Sequence, residues 1–214
     1  KAAGGKTASV AIGGGTTSTS ATVALTGNGT APGITVSEPQ VAFGAQAVGA
    51  SAADRKVTVT NSGKAPLTLS AVELSGTDAS EFTQSSDCKG TLAPAAVCTI
   101  TVGFKPKSAG AKTASVNISS NASTTALTLG LSGTGSAALA ALGASTLYFG
   151  EQDAGSTTSR SITLRNDGNA TLQITQLTLS GAQATDFAQT TDCGTTVAAG
   201  ASCAITLRFA PSSA

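Results

Sequence analysis

The stretch KTASVAIGGGTTSTSATVALTGNG (6–29) recurs without a gap as KTASVNISSNASTTALTLGLSGTG (112–135), at a constant offset of 106 residues. Each copy holds two runs in which apolar or β-branched residues alternate with small polar ones, separated by Gly, Ser, Thr or Asn. A period of two reads as a pair of half-buried strands. A second match joins VAFGAQAVG (41–49) to LYFGEQDAG (147–155). It continues from VTVTNSG (57–63) to ITLRNDG (162–168) and from FKP (104–106) to FAP (209–211), at an offset of 105 after one deletion.

Together the matches predict one whole repeat flanked by two complementary part-repeats. Residues 1–30 are expected to be the terminal strands of a preceding repeat, and 31–135 a complete sandwich. Residues 136–142 read as a linker, and 143–214 as a sandwich lacking its last two strands. Lys1 reads as a processing product or a cut within a longer array.

The fold class expected is all-β, with tandem immunoglobulin-like sandwiches. In the whole repeat the alternation places strands near 34–37, 40–43, 55–61, 67–74, 97–104, 113–119 and 125–132. Seven short strands in about a hundred residues, with turns between them, is the pattern of such a sandwich. Val57, Val59, Leu67 and Leu69 should face inward, and Thr58, Thr60 and Thr68 outward. All six Phe fall into repeat-equivalent pairs: Phe43 with Phe149, Phe82 with Phe187, Phe104 with Phe209. Residues needed in both repeats read as core, so Phe104 and Phe209 are expected at the centres of their sandwiches. Tyr148 is the one unpaired aromatic. The segment AALAALGA (137–144) is the sole candidate for a short helix, and linker is the better reading.

Composition narrows function. Hydrophobic residues make up 40% and aromatics 3%, and the core must be built from Val, Ile, Leu and Ala with few rings. Charged residues are 11% and the formal net charge is +1, leaving no field to hold nucleic acid or an anionic membrane. No apolar run is long enough to span a bilayer. With no His, Ser–His–Asp and Cys–His catalysis have no base. No catalytic, cofactor-binding or metal residues are assigned. Asp78 and Glu81 lack the dense acidic loop of a calcium site, and Asp87 and Asp192, each just before a cysteine, read as turn caps. Residues 143–214 contain no Lys, which excludes a Lys–Asn crosslink common to both repeats. The sequons at Asn28, Asn117, Asn121 and Asn169 read as turn residues.

The four cysteines fall as Cys88 with Cys98 and Cys193 with Cys203, one identically spaced pair per repeat. In a chain without His, that pattern reads as two intradomain disulfides and an oxidising compartment. Closing so short a loop is worth about 2.5–3 kcal/mol in the chain-entropy model.

Several of these residues carry a resemblance. They are Phe43-Gly44, Asn61 and Gly63, Phe82, Asp87-Cys88, Cys98 to Pro106, and Leu131 to Gly135. The second copy repeats them as Phe149-Gly150, Asn166 and Gly168, Phe187, Asp192-Cys193, and Cys203 to Pro211. It departs at Leu207, where the first copy has Val102, and lacks the closing Leu-x-Gly-x-Gly. The pattern resembles bacterial choice-of-anchor D modules, themselves similar to ASH and major-sperm-protein-like sandwiches. The resemblance implies a non-catalytic repeat of a long secreted or surface protein.

The expected function is a structural subunit or repeat unit of an extracellular bacterial fibre or surface stalk. An adhesin or ligand-binding segment is the alternative, but the loops are short and carry neither aromatics nor concentrated charge. The expected partners are copies of the chain head to tail, or adjacent repeats of a longer chain, with no nucleic acid and no membrane insertion. The connector 29–33 reaches about 17 Å when fully extended, whereas an eight-residue strand is about 25 Å long. The hairpin is therefore expected to complete another copy. Val10 and Ile12 should take the places of Val116 and Ile118, and Val23 and Leu25 those of Leu129 and Leu131.

Overall fold

The computed structural model describes residues 3–13 and 21–212. It contains β-strands and two short 3-10 turns, and it divides into two compact units, the second formed by residues from 134 onward together with 45–50 and 106–111.

A hairpin opens the first unit. Strand β1 (Gly4–Ile12) pairs antiparallel with β2 (Ala21–Gly29), Val10 opposite Val23 and Lys6 opposite Gly27. Residues facing each other in an antiparallel pair share a side. One face of the hairpin therefore carries Lys6, Ala8, Val10 and Ile12 beside Gly27, Leu25, Val23 and Ala21.

A complete two-sheet sandwich follows. One sheet orders β3 (Ile34–Val36), β5 (Arg55–Asn61), β9 (Val97–Phe104) and β7 (Phe82–Ser86) as β3-β5-β9-β7. The other orders β4 (Gln40–Ala47), β11 (Ser123–Ser136), β10 (Gly110–Ser120), β6 (Leu67–Ser75) and β8 (Gly90–Leu92) as β4-β11-β10-β6-β8. Alternation sets the faces. Val57, Val59, Leu67, Ile100, Val102, Val116 and Leu129 are fully buried, and the intervening Thr and Ser point away. The strands β7 and β8 were not foreseen. The run FTQSS carries one apolar residue, and β7 forms only because its backbone pairs with β9 at a sheet edge.

Asn61 has no exposed surface. Its Nδ2 donates to the carbonyls of Ala65 and Leu92 at 2.9 and 3.0 Å, and its Oδ1 accepts from the amide of Gly63 at 3.0 Å. One amide thus ties the turn after β5 to the end of β8. A Cβ on Gly63 would lie 2.3 Å from the amide nitrogen of Gly33, so only glycine lets these two segments pass.

The second unit holds half of the same design. Strands β12 (Ala140–Leu142), β13 (Thr158–Asn166), β17 (Ser202–Phe209) and β15 (Phe187–Thr191) form a four-stranded sheet in the order β12-β13-β17-β15. This is the repeat equivalent of β3-β5-β9-β7. Asn166, also without exposed surface, repeats the bracket, donating to Ala170 and Val197 and accepting from Gly168 and Leu139. Of the opposing sheet the described residues form a two-stranded ribbon, β14 (Leu172–Gln173) with β16 (Thr196–Val197).

The reading of 136–142 as linker, and of 137–144 as a possible helix, needs correction. Residues 140–142 pair with 164–166, because short alanine-rich backbone bonds to an open strand edge without any helical side-chain pattern. The expectation that Phe209 is buried like Phe104 also fails. Phe104 is 2% exposed, whereas Phe209 is only half-buried, because no strand covers its outer side.

Candidate functional site

Each sandwich is stapled where β9 or β17 begins. Disulfides join Cys88 to Cys98 and Cys193 to Cys203. The Asp before each first cysteine caps the same strand. Asp87 Oδ1 accepts from the amide of Thr99, and Asp192 Oδ1 from that of Ala204 at 2.7 Å. In both Asp–Cys–Cys groups the sulfurs are bonded to each other, leaving no thiolate for a metal. Asp78 Oδ2 accepts from the amide of Thr113 at 2.9 Å, and Glu81 faces Lys112 at 3.9 Å. Asn121 bonds the backbone of Thr68 and Pro66, and Asn169 Oδ1 accepts from the amide of Ala137. These polar residues all serve the fold.

Rings fill the centre of each sandwich. Phe43, Phe82 and Phe104 form a triad with centroids 4.8–6.0 Å apart, and Phe149, Phe187 and Phe209 a second at 4.8–5.8 Å. The surroundings differ. Fifteen buried residues make the core of the whole sandwich, four of them Val116, Ile118, Leu129 and Leu131 from β10 and β11. In the second unit the buried hydrophobic cluster among the described residues holds Leu164, Cys193, Val197 and Ile205.

What replaces β10 and β11 there is space. A cleft of about 370 Å³ opens against Phe149, Leu177, Leu179, Phe187, Ile205 and Leu207, among others. The strands that would flank it are also lost. In the whole sandwich β11 lies beside β4 and β10 beside β6. The counterparts of β4 and of the later part of β6, around 146–153 and 174–180, carry no strand. A strand persists where its backbone has a partner, and no described residue pairs with theirs.

The hairpin is the converse case. Val10, Ile12, Val23 and Leu25 lie on its one apolar face and are 48%, 59%, 52% and 46% exposed. Their repeat equivalents Val116, Ile118, Leu129 and Leu131 are at most 3% exposed. Two candidate surfaces result, in the first unit an apolar hairpin face that is largely exposed and in the second an apolar cleft that no described strand covers. Leu177 and Leu179, each 37% exposed, belong to the cleft and were not singled out from sequence. The signal was available in their match to Val72 and Leu74 at an offset of 105.

This architecture defines a class, tandem immunoglobulin-like sandwich modules. Residues 31–126 match the ASH family (Abnormal spindle-like microcephaly-assoc'd, ASPM-SPD-2-Hydin). Residues 141–214 match the HYDIN/CFA65/VesB-like Ig-like domain. The two segments thus match ASH- and HYDIN-type Ig-like sandwiches, which fits a structural or binding module. No curated protein matches it.

Similar solved structures include a protein of unknown function from Porphyromonas gingivalis W83, at 16% identity over 83% of each chain with a TM-score of 0.38. The secreted serine protease VesC from Vibrio cholerae is 14% identical over 84% of this chain and 47% of its own, with a TM-score of 0.41. The ASH/PapD-like domain 7 of human CEP192 is 16% identical over 48% of this chain and 84% of its own, with a TM-score of 0.37. Likenesses at this level do not bear on function. Two disulfides fit a secreted or surface protein. Among the described residues no helix is long and apolar enough to cross a membrane.

Proposed function

We propose that the chain is a non-enzymatic structural repeat of an extracellular bacterial fibre or surface stalk, in which the β1–β2 hairpin of one copy completes the 143–212 sandwich of another. One observation carries this reading. The hairpin aligns without a gap with β10 and β11 and has the matching core face exposed, and an apolar cleft opens in the second unit against the counterparts of the residues that β10 and β11 cover. The donor and acceptor surfaces belong to one chain, so the contact is heterologous, and repeating it gives a linear array. In a longer polypeptide the same contact joins successive repeats.

Register follows from the whole sandwich, where Ser115, Val116 and Ile118 of β10 face Ser75, Leu74 and Val72 of β6. Shifted by the repeat, Ser9 faces Ser180, Val10 faces Leu179, and Ile12 faces Leu177. A slip of one residue would turn Val10 and Ile12 to water, so the alternation selects this register. Ser75 Oγ and Ser115 Oγ lie 3.1 Å apart, which makes their counterparts a cross-linking probe. The chain carrying Ser9→Cys and Ser180→Cys should form covalent multimers between chains under mild oxidation. Ser180→Cys with Thr7→Cys should not. Equal yields for the two pairs, or a disulfide confined to single chains, would overturn the reading.

A further inference from the structure

In the whole sandwich the Nζ of Lys112 lies 3.9 Å from Glu81 Oε1, and the two residues are 9% and 8% exposed. A nearly buried ion pair is costly to desolvate, and removing one partner strands the other. Its value is in fixing which segments meet. The repeat equivalent of Lys112 is Lys6, and that of Glu81 is Asp186, each immediately before the second Phe of its triad.

The two counterparts of this pair belong to different units of the chain. Lys6 is exposed on the hairpin face. Asp186 is half-buried beside Phe187, and its Oδ1 accepts from the amide and hydroxyl of Ser212 at 3.2 and 2.9 Å, both neutral donors. Residues 143–214 contain no lysine to repeat the Lys112 contact. Among the described residues of that segment, the ion pair formed is Arg165 with Asp167.

Gly27, opposite Lys6, gives an independent sign. A Cβ on its equivalent, Gly133, would fall 2.6–2.9 Å from ring carbons of Phe104. A Cβ on Gly27 would meet nothing within 4 Å, and Gly27 is not among the glycines at positive φ. Glycine inside a strand weakens it, and nothing within the hairpin calls for one here. The ring equivalent to Phe104 is Phe209, open on its outer side. A third position fits the same docking. A Cβ on Gly130 would fall 3.2 Å from Gln40 Cγ, whereas the hairpin has Ala24 in the place of Gly130 and the segment 143–214 has the smaller Thr146 in the place of Gln40.

Resting on the docking proposed above, we infer that Asp186 is a socket for the ammonium group of an incoming Lys6, and that Gly27 is the notch that receives the Phe209 ring. Together they decide which hairpin the half-sandwich accepts. The partner is thus specified as a strand pair with a lysine at the start of its first strand and a glycine facing it.

The test is self-association of the full chain by sedimentation velocity, using Lys6→Glu, Asp186→Lys, the double variant and Gly27→Val. Each charge reversal should weaken association by about tenfold or more, and the double variant should recover most of that loss, as coupled charge pairs do. Asp186→Asn with Lys6→Gln repeats the cycle without a new cation in the fold. Gly27→Val should leave the thermal melt of the dilute chain unchanged and lower association by a similar factor. Additive losses in both cycles would overturn the ion pair, and undiminished association of Gly27→Val the notch. The Ser9→Cys/Ser180→Cys cross-link separates the two levels. Its formation alongside additive losses refutes the socket alone, while its absence in the otherwise unaltered chain refutes the docking.

Discussion

Val10 and Val116 occupy the same place in the repeat, yet Val116 is completely buried and Val10 is 48% exposed. The same relation holds for Ile12 with Ile118, Val23 with Leu129, and Leu25 with Leu131. Full burial of such a side chain is worth about 1.5–3 kcal/mol, so the four half-exposed ones withhold roughly 3–6 kcal/mol of hydrophobic stabilisation. Both edges of the isolated hairpin also carry unpaired backbone groups, which invite a further strand.

Protection of the half-sandwich should therefore depend on concentration. In limited proteolysis, cleavage within 143–212 should slow as the full chain is concentrated. In a chain beginning at residue 31 it should not. Equal protection in both would show that the segment folds unaided.

The two triad phenylalanines should respond differently. Phe104→Ala should cost about 3–5 kcal/mol in denaturant melts of the first sandwich. Phe209→Ala should cost about 1–2.5 kcal/mol in dilute chain, since the ring is only partly buried. The second cost should grow with association. Equal costs in dilute protein would contradict the open face.

Asn61→Ala and Asn166→Ala should each destabilise their own sandwich by about 2–3 kcal/mol, because two inward carbonyls lose their donor. Asp at either position should be no better, since it keeps the acceptor and removes both N–H groups. Chemical melts of Asn61→Asp near the unaltered value would refute the bracket.

Replacing Cys88 and Cys98 together by Ala should lower the stability of the first sandwich by about 2.5–3 kcal/mol. Differential scanning calorimetry should show one transition moving while the other stays. If both moved equally, the staples would not be local to their domains.

Much of the fold was legible because alternation and repetition are written locally. The runs at 55–61, 67–75 and 97–104 declare an inward face through every second residue, and the paired Phe and Cys declare what both repeats need. Less legible were β7, β8 and β12. Their residues have little pattern of their own, and they become strands by bonding to a neighbour distant in the chain. The Asn61 and Asn166 brackets were visible only as turn residues, since their carbonyl partners lie up to 31 positions away.

The two halves of the candidate site divide in the same way. Sequence by itself determined that residues 6–29 align with 112–135, that Val10, Ile12, Val23 and Leu25 form one face, and that cysteines pair within repeats. Only the tertiary structure decided that this face is bare, that a cleft stands open beside Phe149 and Phe187, and that the Lys112–Glu81 pair is nearly buried while Lys6 is exposed. Periodicity fixes which side of a strand is apolar, because side chains alternate along any extended backbone. Whether that side is covered depends on what packs against it, and burial is a property of the assembled neighbours.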